Sequence, residues 1–174
     1  MQIDFSAGFD RVNHLGILCK LCSVGIGGSV LSILTQFLSN RSQHVIVDGC
    51  RRKLVNVVSG VPQGSVLGPL LFLLYTSELF SILENKLIGY TEDSTLMAVV
   101  SSPGVRFAVA ESLIRDFGRV SKWCDLWGMK LNGSKTKTMI VSRSRTMHPK
   151  VTPINYWRNC TLRSLMPCYI MNDS

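Results

Sequence analysis

The sequence predicts an α+β fold, an antiparallel sheet with helices on one face. Three observations lead there. Runs with strand-like and helix-like apolar spacing follow one another as strand, helices, hairpin, helix, hairpin, helix, strand, which is an α+β order. Acidic residues stand at two strand ends far apart in the chain, Asp4 and the pair Glu92 and Asp93. Between them a glycine-flanked turn, Gly60-Val61-Pro62-Gln63-Gly64-Ser65, runs into a strongly apolar helix.

Taken in order, Met1-Gln2-Ile3 leads straight into Asp4 as a short strand ending on a carboxylate. Residues 11–22 and 29–38 carry helical apolar spacing (Val12, Leu15, Leu18, Leu21; Val30, Ile33, Leu34, Phe37), with Gly25-Ile26-Gly27-Gly28 between them. Asp10 is expected to cap the first of these helices. Residues 43–47 and 53–58 are β-branched or alternating, and Asp48-Gly49 between them signals a hairpin. Ser65 should open a helix reaching about residue 83, with Pro69 tolerated near its first turn. Residues 86–90 and 94–100 read as a second hairpin whose tip holds Glu92 and Asp93. From Ser102-Pro103 a long amphipathic helix follows (Val105, Val109, Leu113, Phe117, Val120, Cys124, Trp127), and Gly128 suits its C-terminal stop. Residues 138–141 are the last strand. From about residue 147 to 174 the periodicity is lost among Pro149, Pro153 and Pro167. The division expected is a domain at 1–146 and a divergent, poorly ordered tail at 147–174.

With 174 residues, the chain can build one domain with a real core. Its 46% hydrophobic and 17% charged residues make it more apolar than most free-standing domains, as a piece with missing neighbours would be. The net charge of +8 favours polyanionic partners. The longest strongly apolar run, residues 66–75, is broken by Gly68-Pro69 and too short to span a bilayer. Asp4 and Asp10 break any signal-peptide core. Six cysteines without a secretory signal read as reduced thiols of an intracellular protein, in nucleus or cytoplasm. Cys19-Lys20-Leu21-Cys22 has no second pair at zinc spacing and is expected to be buried and structural.

Two carboxylate clusters that meet in space are what two-metal phosphoryl or nucleotidyl transfer requires. The ordered set Asp4-Phe5-Ser6-Ala7-Gly8-Phe9-Asp10, Gly60-Val61-Pro62-Gln63-Gly64-Ser65-Val66-Leu67-Gly68-Pro69 and Tyr90-Thr91-Glu92-Asp93 resembles the palm of reverse transcriptases, that of non-LTR (LINE-like) retrotransposons above all. The resemblance covers residues 1–146 and implies a ferredoxin-like palm sheet and an RNA-directed DNA polymerase, a nucleotidyltransferase. It implies an RNA template, a DNA primer and their RNA–DNA hybrid as partners, deoxynucleoside triphosphate as substrate, and no membrane.

By that resemblance, Asp4 bridges two Mg2+ ions (Mn2+ is an alternative) and the Phe5 carbonyl is a further oxygen ligand. Read without it, Asp4 is a helix cap or turn former. Phe9 sits under the sugar and selects deoxynucleotides; the plain alternative is a core phenylalanine. Gln63 positions the incoming nucleotide, and Gly64 and Ser65 touch template or base, Ser65 doubling as a helix cap. In the third segment the family has Tyr-Ala-Asp-Asp, so Glu92 replaces the second metal ligand, and Asp93 matches the less critical carboxylate. Glutamate keeps the charge but moves the carboxylate by about 1 Å, which can cost on the order of a hundredfold in rate. Lys135, in Gly133-Ser134-Lys135-Thr136-Lys137, is placed to protonate the leaving pyrophosphate. Lys130, Lys137, Arg143 and Arg145 form a solvated or phosphate-facing edge.

The family also has finger segments before the Asp4 strand, then a Leu-Gly primer grip and a thumb after the palm; no glycine follows Gly133 here. The expectation is therefore a truncated copy, impaired or inactive as an enzyme, whose natural packing partners are the missing fingers and thumb. The alternatives are a non-catalytic basic module that binds RNA or hybrid, and a decayed element-derived product without function.

Overall fold

The computed structural model describes residues 1–90, 92–142 and 168–172, and these form two units. The sheet unit takes residues 1–6, 83–121 and 131 onward; the helical unit takes 7–82 and 122–130.

In the sheet unit, β1 (Gln2–Asp4), β7 (Asp93–Met97) and β6 (Lys86–Tyr90) form an antiparallel sheet in the order β1-β7-β6. Residues 131–137 continue it along the free side of β1. Lys137 and Gln2 exchange both backbone hydrogen bonds, at 2.7 and 3.1 Å, and the Asn132 N–H reaches the Asp4 carbonyl at 2.8 Å. Side chains alternate across a sheet with period two, and here the alternation decides the site. Ile3, Ser94, Leu96 and Leu87 are buried on one face, while Gln2, Asp4, Asp93, Thr95 and Tyr90 stand on the other. The 3-10 turn Pro103–Val105 leads into α6 (Arg106–Trp127), which contributes buried Phe117 and Val120 to this unit. Fully buried Asp116 of α6 accepts the backbone N–H groups of Glu84 and Asn85 at 2.9 and 2.8 Å, and Arg119 joins it to Glu84. β8 (Thr138–Ser142) pairs in parallel with β9 (Cys168–Asn172), the described part of the tail. Thr91, the expected boundary near residue 146, Arg143, Arg145 and the rest of the tail lie outside the described residues.

In the helical unit, α1 (Gly8–Arg11) is followed by α2 (His14–Ser23) and α3 (Gly28–Leu38). The continuous helix expected over 11–22 is thus split, because Val12 and Asn13 are extended. Asn13, rather than Asp10, caps α2: its Oδ1 accepts the Gly16 N–H at 2.9 Å. Cys19 and Cys22 are exposed, against expectation, because α2 turns Ile17, Lys20 and Leu21 inward, which leaves both thiols on the outer side.

A long hairpin follows: β2 (Arg41–Gln43) pairs with β5 (Val55–Val57), and β3 (Ile46–Val47) with β4 (Cys50–Arg51) around Asp48-Gly49. The helix expected over 65–83 is broken into α4 (Leu67–Thr76) and α5 (Leu79–Ile82). At the break the Ser77 hydroxyl donates back to the Leu74 carbonyl and Thr76 to Phe72, side-chain bonds that compete with helix continuation.

The core of this unit gathers Val12, Ile17, Leu21, Leu34, Leu38, Val61, Leu71, Phe72, Tyr75 and Leu79 with Trp123, Cys124 and Met129. The buried Lys20 ammonium lies 4.0 Å over the Trp127 ring and 3.3 Å from Glu78. Burial holds its pKa below the ordinary lysine value. Gly128, at φ +70°, ends α6, and the Met129 N–H closes on the Cys124 carbonyl at 2.9 Å.

Candidate active site

The site of the sheet unit follows from register. Asp4 is opposite Asp93 on the neighbouring antiparallel strand, and Asp93 is opposite Tyr90. Residues directly opposite share a sheet face with Cβ atoms about 4.5–5.5 Å apart, so Asp4, Asp93 and Tyr90 form one cross-strand row on the exposed face. The backbone pairing of residues 131–137 with β1 brings a third element to that row. Its turn is closed by the Thr136 N–H and hydroxyl, both on the Asn132 carbonyl at 2.9 and 2.7 Å, and Thr136 is fully buried. Lys135 stands on this turn with its Nζ 3.9 Å from Asp4 Oδ1. A cleft of about 310 Å³ results, lined by Gln2, Asp4, Asp93, Ser134, Lys135 and Lys137. The Asp4 side chain is 14% exposed and that of Lys135 70%.

Glu92 does not line this cleft. Tyr90 and Asp93 are already paired, Glu92 lies in the turn just before Asp93, and the strand-end carboxylate facing Asp4 belongs to Asp93. Phe5 is buried and bridges Leu131 across the strand pair, which fixes the backbone just past Asp4.

The other predicted nucleotide-binding residues, Phe9, Gln63, Gly64 and Ser65, lie in the helical unit and come together there. Gly60, at φ +86°, lets the turn approach α1 more closely than a side chain allows: a Cβ there would stand 2.8 Å from Asp10 Cα and 2.9 Å from the carbonyl oxygens of Phe9 and Asp10. The Gly60 and Val61 N–H groups bond to the Val12 and Phe9 carbonyls at 2.8 and 2.9 Å. Arg41 and His14 both donate to the Gly60 carbonyl, at 2.7 and 2.9 Å. Gln63 Nε2 donates to Asp10 Oδ1 at 3.1 Å. The Ser65 hydroxyl donates to the Pro62 carbonyl at 2.7 Å and accepts the Gly68 N–H at 3.0 Å, so it caps the first turn of α4. Phe9 is half-buried, its ring 4.9 Å from that of Phe72.

Gln2 and Ser134 line the cleft although the sequence reading gave them no role, and Lys137, expected on a solvated or phosphate-facing edge, lines it too. Gln2 was findable, since two residues before Asp4 on a strand is the same face. Ser134 and Lys137 depend on residues 131–137 docking beside β1, which no local pattern announces.

The profile of the family described as reverse transcriptase (RNA-dependent DNA polymerase) matches residues 1–157. The chain belongs to the reverse transcriptase family. Its relatives place it among the non-LTR retrotransposon members. It is 27% identical over 157 residues to the RNA-directed DNA polymerase from mobile element jockey of Drosophila funebris, covering 86% of this chain and 17% of that protein. It is 30% identical over 140 residues to the jockey polymerase of Drosophila melanogaster, covering 76% of this chain and 15% of that protein. The probable RNA-directed DNA polymerase from transposon X-element of Drosophila melanogaster is 29% identical over 86% of this chain and 16% of its own length. The chain therefore spans about a sixth of the length of these relatives.

A solved structure of apo telomerase from Candida tropicalis, truncated from the C-terminal domain, superposes with a TM-score of 0.57 at 14% identity, covering 77% of this chain and 29% of that one. At that identity the match concerns the fold, an α+β palm-like arrangement. Reverse transcriptases use divalent metal ions and deoxynucleoside triphosphates and bind a nucleic-acid template and primer. Among the described residues of this chain, no helix is long and apolar enough to cross a membrane.

The donor set tests whether a metal suits the cleft. Among the described residues, no group of three or more His, Cys, Asp or Glu could hold a metal ion, so there is no all-protein cage. Mg2+ does not need one: it keeps several waters and takes one or two carboxylates plus substrate phosphates. Asp4 and Asp93, side by side over an open cleft, fit that mode.

Proposed function

We propose that this chain is the palm of an RNA-directed DNA polymerase, that Asp4 and Asp93 are metal-holding carboxylates, and that Glu92, standing in the adjoining turn for the family's second ligand with one methylene too many, limits its rate. The observation that carries this reading is the direct opposition of Asp4 and Asp93 in the β1–β7 register, with Lys135 beside them. Bound there, two Mg2+ ions would supply Lewis acidity for a 3′-hydroxyl attack on a deoxynucleoside triphosphate. Asp4 and Asp93 would hold the ions through their negative charge, and the Phe5 carbonyl would be a further oxygen ligand. Lys135 carries a proton at Nζ, on the exposed side of the cleft, where the leaving pyrophosphate can take it. The nucleotide-positioning roles that the resemblance gives Gln63, Gly64, Ser65 and Phe9 fall within the helical unit. RNA template, DNA primer and their hybrid are the partners, in nucleus or cytoplasm.

A second reading has one observation in its favour. Glu92 occupies the hairpin loop at the family's second aspartate and does not line the cleft. A palm so altered could bind hybrid without extending it. Primer extension on an RNA template, with Mg2+ and then Mn2+, separates the two. The variants to compare are wild type, Glu92→Asp and Asp4→Ala, each tested alone and spliced between a related enzyme's fingers and thumb. The polymerase reading expects Glu92→Asp to raise synthesis by on the order of a hundredfold and Asp4→Ala to abolish it. Absence of extension in every form, with the fold intact, leaves the binding module.

A further inference from the structure

The hairpin at residues 41–58 extends from the helical unit as a two-stranded ribbon with no cover on either side: every residue from 42 to 56 is exposed. Its tip, Asp48-Gly49 at φ +52° and +78°, is the left-handed two-residue turn that matches strand twist. Lower down, the Arg52 N–H bonds to the Val45 carbonyl at 2.8 Å, while the next ladder pair is Gln43 with Val55. Lys53 and Leu54 therefore oppose His44 alone, a one-residue bulge that sharpens the ribbon's twist.

The charge on this ribbon is one-sided. Arg51, Arg52 and Lys53 stand in succession, with Asp48 the one acidic residue between 41 and 58. None of the three forms a salt bridge among the described residues, whereas Arg115 and Arg119 are matched by Glu84 and Asp116. Register puts Arg51 opposite Ile46, and Val47 opposite Cys50, so each face mixes aliphatic and other side chains. Val45, Ile46 and Val47 are 61%, 55% and 52% exposed. A free two-stranded ribbon is marginally stable in water, and this one carries three cations without a salt bridge among the described residues beside exposed aliphatic side chains.

We infer that residues 41–58 are a nucleic-acid-contacting arm, in which Arg51, Arg52 and Lys53 neutralise backbone phosphates while Ile46 and its neighbours lie against sugar and base edges. Charge complementarity selects the partner, since a polyanion gains most from three adjacent cations through counterion release. The inference rests on the polymerase reading only in taking a nucleic acid as ligand, and it needs no catalysis.

The test is fluorescence anisotropy with a labelled 20-base-pair RNA–DNA hybrid, titrated across salt concentrations. The proteins are wild type, the combined variant Arg51→Gln/Arg52→Gln/Lys53→Gln, and Arg115→Gln, which removes an exposed cation already paired with Glu84. Circular dichroism checks each fold; the three cations are exposed, so their replacement leaves the core untouched. The slope of log K against log salt should become shallower by about two to three in the combined variant, at roughly 0.9 per phosphate contact. Arg115→Gln should keep the wild-type slope. Equal slopes for wild type and combined variant overturn the arm and leave the polymerase reading standing. If the wild type dimerises, and Ile46→Ser/Val47→Ser disperses the dimer without weakening hybrid binding, the ribbon is a protein interface and the inference fails. No salt-dependent binding by the wild type overturns both.

Discussion

Replacing Gly60 with alanine should destabilise the helical unit more than any other glycine replacement in the 60–65 turn. Two effects add. At φ +86° an L-residue costs roughly 1–2 kcal/mol. The new Cβ also falls 2.8–2.9 Å from Asp10 Cα and from the carbonyl oxygens of Phe9 and Asp10. These are backbone atoms, and the Phe9 and Asp10 oxygens already accept from the Val61 N–H and the Ser59 hydroxyl, so they cannot swing aside as a side-chain end can. Overpacking of this kind costs about 1–3 kcal/mol. Gly64 is the internal control: it sits at φ +78°, but a Cβ there meets nothing within 4 Å, so Gly64→Ala carries the dihedral cost alone. Thermal melts followed by circular dichroism and tryptophan fluorescence read the difference. At about 2–4 °C per kcal/mol for a chain of this size, Gly60→Ala should melt roughly 2–12 °C below Gly64→Ala. Equal melting temperatures would refute the claim that close backbone approach, rather than the turn dihedral, is what Gly60 supplies.

Further outcomes follow from the buried ionisable groups. Burial, the largest single influence on Asp116, pushes its carboxyl up. The N–H donors of Glu84, Asn85 and Arg119 outweigh it and hold the group below the ordinary aspartate value. Its folded pKa being the lower, Asp116 stabilises fully above the unfolded value near 4 and loses that contribution as pH falls through the folded value. Asp116→Ala should cost about 3 kcal/mol in urea melts at pH 7, and the gap from wild type should narrow by pH 3; a gap independent of pH would count against the ion-pair account. Burial also pushes the Cys124 thiol up to about 12. Iodoacetamide at pH 8 should therefore label exposed Cys19, Cys22 and Cys50 and spare Cys124 until urea is added, as read by peptide mass spectrometry. Labelling of Cys124 at the same rate in native protein would place it outside the core.

Much of the architecture was legible because it is written in local pattern. The β-rich runs on either side of Glu92, the Asp48-Gly49 turn and the helical stripe of Phe117, Val120 and Cys124 each encode an element without help from distant residues. The failures were places where side-chain chemistry competes within a few residues. Ser77 and Thr76 interrupt a run whose hydrophobicity alone reads as one helix, and Asn13 takes the cap that Asp10 was expected to fill. The exposure of Cys19 and Cys22 turned on which side of α2 faces the core. A helix with apolar residues nearly all round does not reveal that side by itself.

By itself the sequence determined which chemistry is on offer: carboxylates at strand ends and a glycine turn that can approach backbone. Those are properties of residue type and spacing. Only the tertiary structure decided which carboxylate faces Asp4. Strand register set that choice, because a one-residue slip sends every side chain to the opposite face. Register placed Asp93 in the row with Asp4 and left Glu92 in the loop, and the docking of residues 131–137 against β1 brought Lys135 to the same cleft.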